Sequence, residues 1–287
     1  MVIDALRGRR EAEPAVIRTT GDAVQDRRLA DIGGKGLFAK EIHDALAQGR
    51  IDAAMHSLKD LETDLPPGIV LACVLPREDA RDALIIAAAP PINPAQPFGS
   101  LPHGARIGTA SVRRQAQLLH VRPDLAISTL RGNVDTRLAK LAAGECAATL
   151  LAYAGLKRLG VADRASAILE PDIMVPAAGQ GIVGVTVRER DETLRALLSD
   201  ITDPAAMVAA TAERVLLAEL DGSCRTPIGV HAVLLSDGTL RLLGMVARAD
   251  GSFLLRRSLQ GSASDAVRLG RELAASMRAD SPDDIFV

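Results

Sequence analysis

Three groups of side chains in this sequence could do chemistry. The first is His56-Ser57-Leu58-Lys59-Asp60, where an ammonium and a carboxylate stand side by side after an alternating apolar stretch. A fixed carboxylate at the end of a strand can move a proton, or stabilise a cation forming beside it. Adjacent opposite charges also occur as solvated surface pairs worth little, and spacing alone leaves the two readings level. The second group is cationic: Arg113 and Arg114, Arg131 with Arg137, and Lys157 with Arg158. Singly, each reads as a solvated helix charge; their recurrence at successive turns points to a ligand with several negative charges. Arginine's planar fork suits carboxylate, though phosphate is equally open here. The third is Cys224, in the polar, turn-rich run Asp221-Gly222-Ser223-Cys224-Arg225-Thr226-Pro227. A thiol there is accessible and Arg225 favours its thiolate, while an incidental loop cysteine is the alternative. No histidine lies close enough in sequence to serve as its base.

Secondary-structure periodicity supplies elements that would position these groups. Strands are expected at 106–108, 125–129 and 146–151, each followed by a helix beginning near Ser111, Asn133 and Gly155. Parallel α/β units open all such turns onto one crevice at the carboxyl ends of the strands, where helix amino termini already favour anions. Lys59 and Asp60 would end another strand, 51–57. Further strands are expected at 15–20, 69–75, 83–88 and 182–187, and a helix at 39–48. The strand at 182–187 follows a finished βαβ region and cannot form a domain alone. Its return to the first sheet would make two crossings between the halves, which is hinge geometry. A last region has helices at 204–220 and 265–278 around three short strands with Asp237-Gly238 and Asp250-Gly251 as hairpin turns. The expected organisation is α/β. Residues 1–76 and 182–200 form a discontinuous first domain, 81–176 a second, and 203–287 a small α+β domain with a three-stranded antiparallel sheet.

The bulk properties exclude several classes. The chain has 287 residues, 48% of them hydrophobic, with no Trp, one Tyr and a net charge of −2. Without aromatic stacking platforms or a basic excess, a nucleic-acid partner is not expected. No apolar run is long enough to span a membrane, and the amino terminus is too short and polar for a signal peptide. Three distant cysteines and five scattered histidines give neither a disulfide framework nor a metal site, consistent with a cytoplasmic protein. Gly33-Gly34-Lys35-Gly36 lacks phosphate-loop spacing and a following hydroxyl. It is better read as a mobile loop over the crevice.

Seven blocks, in order, resemble the porphobilinogen deaminase (hydroxymethylbilane synthase) family. They are Gly33-Gly-Lys-Gly-Leu-Phe38, His56-Ser-Leu-Lys-Asp60, Gly108-Thr-Ala-Ser-Val-Arg-Arg-Gln115, Leu130-Arg-Gly-Asn-Val134, Gly155-Leu-Lys-Arg-Leu-Gly160, Pro176-Ala-Ala-Gly-Gln-Gly181 and Gly222-Ser-Cys-Arg-Thr-Pro-Ile-Gly229. The resemblance implies two periplasmic-binding-protein-like α/β domains plus the third domain, acting as a monomer. The implied enzyme condenses four porphobilinogen molecules head to tail with loss of ammonia, giving the linear tetrapyrrole hydroxymethylbilane. It also implies a dipyrromethane cofactor joined by a thioether to Cys224, and Asp60 as the catalytic carboxylate. Lys59, Thr109, Ser111, Arg113, Arg114 and Arg131 would hold that cofactor; Arg131, Arg137, Arg158, Phe38 and Gln180 would bind substrate. The family's amino-terminal Arg-x-Ser-Pro-Leu-like strand has no match here, so a strand and two ligands are expected to be missing, with reduced activity. Ala110 also stands where a hydroxyl is common, and the 90–102 proline-rich loop is long. The competing expectations are a two-lobed anion-binding protein or effector domain without catalysis, or an inactive truncated deaminase.

Overall fold

The structure, a computed structural model, describes residues 1–17, 19, 39–87, 92–220 and 226–286. Its largest sheet grows from short apolar runs that are buried along their whole length. Strands β3 (Asp82–Ile86) and β6 (Ala148–Ala152) are apolar on both faces because helices cover both. With β4 (Arg106–Gly108), β5 (Ala126–Ser128) and β7 (Ala167–Leu169) they form five strands in the order β5-β4-β6-β3-β7. Strands β4, β5 and β6 are parallel, whereas β3 runs antiparallel to its neighbours. Leu84, Ile107 and Leu150 pack on one face with Leu118 of helix α3 (Val112–Val121). Ala83, Ile85 and Leu151 pack on the other with Leu138 and Leu141 of α4 (Val134–Ala142) and Leu156 of α5 (Tyr153–Arg158). Ser111 and Asn133 cap α3 and α4, their side-chain oxygens accepting from the N–H of Arg114 and Thr136. Helix α5 starts two residues before the expected Gly155.

A second sheet joins distant parts of the chain. Strand β8 (Val183–Arg188) lies between β1 (Ala53–Ser57) and β2 (Ile69–Val74), antiparallel to both. One face is filled by Cys73, Val183, Val185 and Val187, with Leu6 of α1 (Val2–Leu6) and Leu198 of α6 (Glu192–Ser199). Helix α2 (Lys40–Ala47) sets Leu46 against Ala54 and Ile69. The strand expected at 15–20 is not formed at 15–17 or 19, the positions described there. Val16 is 90% exposed, so extension at that position buries no apolar face.

The third sheet is the antiparallel meander β9 (Ile228–Leu234), β10 (Thr239–Ala247) and β11 (Leu254–Ser262). Its inner face packs on α7 (Pro204–Glu219) and α8 (Ala266–Ala279) through Leu216, Val230, Leu242, Leu273 and Met277. The amino-terminal half of α7 also lies on the second sheet, where Ala206 and Ala210 meet Leu58, Val74 and Ile182. Two crossings connect the first two sheets, one through 77–81 and one through 176–181. They are bonded to each other: the N–H of Glu78 donates to Gly181 O at 3.1 Å, and Arg77 Nε donates to Gln180 O at 3.0 Å.

Candidate active site

Asp60 is presented by a single 3-10 turn, Leu58–Asp60, that follows β1 directly. The turn is fixed by the buried Leu58, whose N–H donates to Ile182 O at 3.0 Å, and by Leu61 N–H returning to Leu58 O at 3.2 Å. Anchoring at Leu58 leaves Asp60 exposed and Lys59 half-buried. Desolvation pushes the Lys59 ammonium below its usual range, against the pull of Asp60; it also feels Arg114 and Arg113 at the start of α3 and Asp82 of the larger sheet. The two sheets therefore face each other across this turn.

Opposite it, Arg113 and Arg114 are buried rather than solvated, and both are paired with Asp82. Arg114 donates through Nη2 and Nε to Asp82 Oδ1, at 2.7 and 3.2 Å, and through Nη1 to Leu150 O at 2.8 Å. Arg113 Nη1 lies 2.8 Å from Asp82 Oδ2, as an ion pair without hydrogen-bond alignment, and donates to Val175 O at 2.6 Å. Burial raises the Asp82 carboxyl, but the two guanidinium charges outweigh it and hold it well below the carboxylate range. Much of the hydrogen-bonding capacity of these two expected cofactor ligands is thus used inside the protein. Asp82 had no role in the sequence reading. Its only signal is a charge opening a strand that is otherwise entirely apolar, Asp82-Ala-Leu-Ile-Ile86.

The remaining cations divide. Arg137 shares the cleft: desolvation first, then Arg114 and Arg131, bring its guanidinium down to about 10, while Asp60 across the cleft opposes the shift. Its Nε donates to Gly132 O at 2.8 Å. Arg131 is buried nearby. Arg158, at the end of α5, is aimed at the hinge, its Nη2 donating to Gly181 O at 2.6 Å, and Lys157 pairs with Glu78. Thr109 Oγ1 accepts from Ser111 N–H at 3.1 Å and Ser111 Oγ caps α3, so each hydroxyl keeps its proton to donate. Gln180 is fully buried in the second crossing, where Nε2 donates to Ala80 O and to Asp82 Oδ1 at 2.6 and 3.0 Å. Phe38, Cys224, Arg225 and the 33–36 glycine run lie outside the described residues. Cys73 and Cys146 are buried, and no group of three metal-ligating side chains occurs among the described residues.

A second buried carboxylate was also missed. Glu213 of α7 accepts from Arg77 Nη1 at 2.6 Å, Gly179 N–H at 2.6 Å and Ala232 N–H at 2.7 Å. One side chain thus binds both crossings to the third sheet. A lone glutamate on the apolar face of Ala209-Ala-Thr-Ala-Glu213 is the signal that could have found it.

The family model described as "Porphobilinogen deaminase, dipyromethane cofactor binding domain" matches residues 1–196, and "Porphobilinogen deaminase, C-terminal domain" matches residues 207–279. A porphobilinogen deaminase of Nitrobacter hamburgensis is 49% identical over 94% of this chain and 83% of that protein. One of Roseiflexus castenholzii is 47% identical over 96% and 90%, and the chloroplastic one of Oryza sativa is 45% identical over 96% and 75%. Among solved structures, a periplasmic binding protein from Brucella ovis with glutathione bound aligns at 19% identity over 63% of this chain and 52% of that one, with a TM-score of 0.37. The two matched domains and the level of identity decide the assignment: this chain belongs to the porphobilinogen deaminase family, transferases of tetrapyrrole biosynthesis.

Proposed function

We propose that this cleft polymerises four porphobilinogen molecules to hydroxymethylbilane, with Asp60 as the catalytic carboxylate. The observation that carries the reading is one exposed carboxylate beside the desolvated Lys59 and across the cleft from the desolvated Arg137, between two linked sheets. Porphobilinogen brings an acetate and a propionate, and Lys59, Arg131 and Arg137 are the cations placed to receive them. Asp60 stabilises the positive charge that develops on the substrate pyrrole as ammonia departs, because a fixed carboxylate needs no reorganisation at that moment. The same oxygen then accepts the proton released when the new carbon–carbon bond restores aromaticity.

The donor set fits a dipyrromethane. Lys59, Thr109, Ser111, Arg113, Arg114 and Arg131 offer cations and hydroxyl protons to its carboxylates, Asp60 accepts from its pyrrole N–H groups, and Cys224 is the attachment point. When bound, the group would supply the free pyrrole α-carbon to which the first porphobilinogen is joined, each added ring then offering its own free α-carbon to the next. The expected partner is a small-molecule substrate, with the chain acting as a monomer. No described helix is long and apolar enough to cross a membrane, and together with the enzyme's proposed small-molecule chemistry this favours the cytoplasm. Intact-mass measurement should show a dipyrromethane adduct on the purified chain that vanishes in Cys224→Ser. Asp60→Asn should keep the adduct and the fold and lose nearly all product formation. An unmodified wild-type mass would point instead to an anion-binding protein.

A further inference from the structure

Arg214 follows Glu213 on α7 and turns the other way, into the sheet that carries Asp60. Its Nη1 donates to Leu61 O at 3.2 Å, and its Nη2 to Glu62 O at 2.6 Å and Thr63 O at 3.1 Å. Those three carbonyls follow Asp60 immediately in the chain. They lie just beyond the 3-10 turn, in a stretch with no helix or strand ladder to supply their donors. Here a guanidinium from more than 150 residues away supplies them, and it does so from the domain that contains Cys224. The same helix packs Ala206 and Ala210 against Leu58 and Leu61, the two apolar residues flanking Lys59-Asp60. The turn is therefore gripped twice from α7, once by apolar contact and once by a fork of hydrogen bonds. Desolvation lowers the guanidinium's pKa and Asp64 opposes that shift, so a charge is held half-buried for this contact.

We propose that Arg214 is a positioning residue for Asp60: by binding the Leu61, Glu62 and Thr63 carbonyls it fixes the Asp60 carboxylate relative to the thiol-bearing domain. This rests on the reading of Asp60 as the catalytic carboxylate. The physical reason for such a link is the repeated chemistry. One carboxylate must meet a reacting centre that changes with every addition, while the growing chain stays tied to the third domain. A turn held only by its own backbone would let the carboxylate wander, and misplacement by about 1 Å can cost on the order of 100-fold in rate. Arg214's geometry demands a planar fork, which an ammonium cannot reproduce on three carbonyls.

The test uses the cofactor-loaded wild type, Arg214→Lys and Arg214→Gln, with intact mass, steady-state kinetics and thermal melting on each. Loading should be complete in all three, showing that the thiol-bearing domain is assembled. The expected result is a kcat lowered about 10-fold or more in Arg214→Gln, KM for porphobilinogen within twofold, and an intermediate kcat in Arg214→Lys. If kcat per loaded molecule is unchanged in both variants while only the melting temperature falls, Arg214 is a structural tie and the proposal is overturned. A rise in KM with kcat unchanged overturns it as well, because that places Arg214 in substrate binding. Should Arg214→Gln fail to fold, the kcat of Arg214→Lys alone decides. Failure of the underlying reading shows separately, as a wild-type chain without adduct or an Asp60→Asn variant with normal turnover.

Discussion

Asp82→Asn is the most informative single change, because it removes one charge and leaves the shape almost intact. The wild-type carboxylate is wholly buried and balances two guanidinium groups whose side chains are each 6% exposed. Removing one partner from a buried ion pair costs about 3–5 kcal/mol, since the surviving charge stays desolvated. Arg114 keeps Leu150 O and Arg113 keeps Val175 O, and the asparagine oxygen can still accept from Arg114. Those retained bonds place the loss near the lower figure. At roughly 2–4 °C per kcal/mol for chains approaching this size, about 3 kcal/mol lowers the melting temperature by about 6–12 °C. The pH dependence gives an independent check. The folded-state carboxyl titrates below its unfolded value. Its contribution is therefore complete above pH about 4 and is lost as pH falls towards the folded-state value. Calorimetric or dichroism melts of the two proteins should differ by a constant amount between pH 7 and 5, and converge below about pH 4. A difference under about 2 °C at pH 7, or one that closes between pH 7 and 5, would refute the account of Asp82 as the counter-charge.

Two further perturbations read other parts of the structure. Gly181 has φ of +88°, and a Cβ there would collide with the carbonyl oxygen of Glu78 in the facing crossing. Gly181→Ala should therefore lower stability by about 1–3 kcal/mol or more and depress kcat, measured by urea midpoint and turnover; wild-type values for both would dismiss the tight hinge contact. His56 is buried beside His43 with its Nε2 2.8 Å from Thr186 Oγ1. Desolvation first, then the charges of His43 and Arg214, bring it down to about 4. Its folded pKa is depressed, so the unfolded chain binds the proton first and stability is lost as pH falls from about 6.5 towards 4. His56→Gln, which can still bond Thr186, should flatten part of that slope. His231, also brought down to about 4 by desolvation, and His43, lowered by the same cause, keep the rest. An unchanged slope in the variant would show that His56 does not contribute.

What could be read in the sequence and what could not follows from the range of the interactions. The parallel units were legible because Ile107, Ile127 and Leu150 sit in short apolar runs, the first two followed by Ser111 and Asn133, which cap helices within three residues of themselves. The return of β8 was legible because a lone strand cannot satisfy its own backbone. The partners of the arginines were not. Arg114 and Asp82 are 32 residues apart, and Arg214 and Leu61 are 153 apart. Only closure of the sheets brings them together, and no local pattern marks which charge a given guanidinium will choose. Arg158 shows the same limit from the other side. Its sequence setting matches the other turn arginines, yet its Nη2 ends on Gly181 O, 23 residues away in the second crossing.

These pairings change how a cleft of like charges can work. With Asp82 between them, Arg113 and Arg114 contribute a net single positive charge, so the poorly compensated cations nearest Asp60 are Lys59 on one wall and Arg137 on the other. Both have their charged forms destabilised by desolvation and by neighbouring cations. An arriving carboxylate is worth most beside such groups, because it relieves a penalty already present as well as adding its own attraction. Each added porphobilinogen would then bring two carboxylates into the gap, drawing the walls towards the chain. The hinge, held by Gly181, Glu78 and Arg77, has to yield to that pull without releasing Asp60. Anchoring the Asp60 turn to α7 as well as to Ile182 beside the second crossing meets that requirement, since Arg214 and Glu213 on the same helix tie the turn and the hinge to one body.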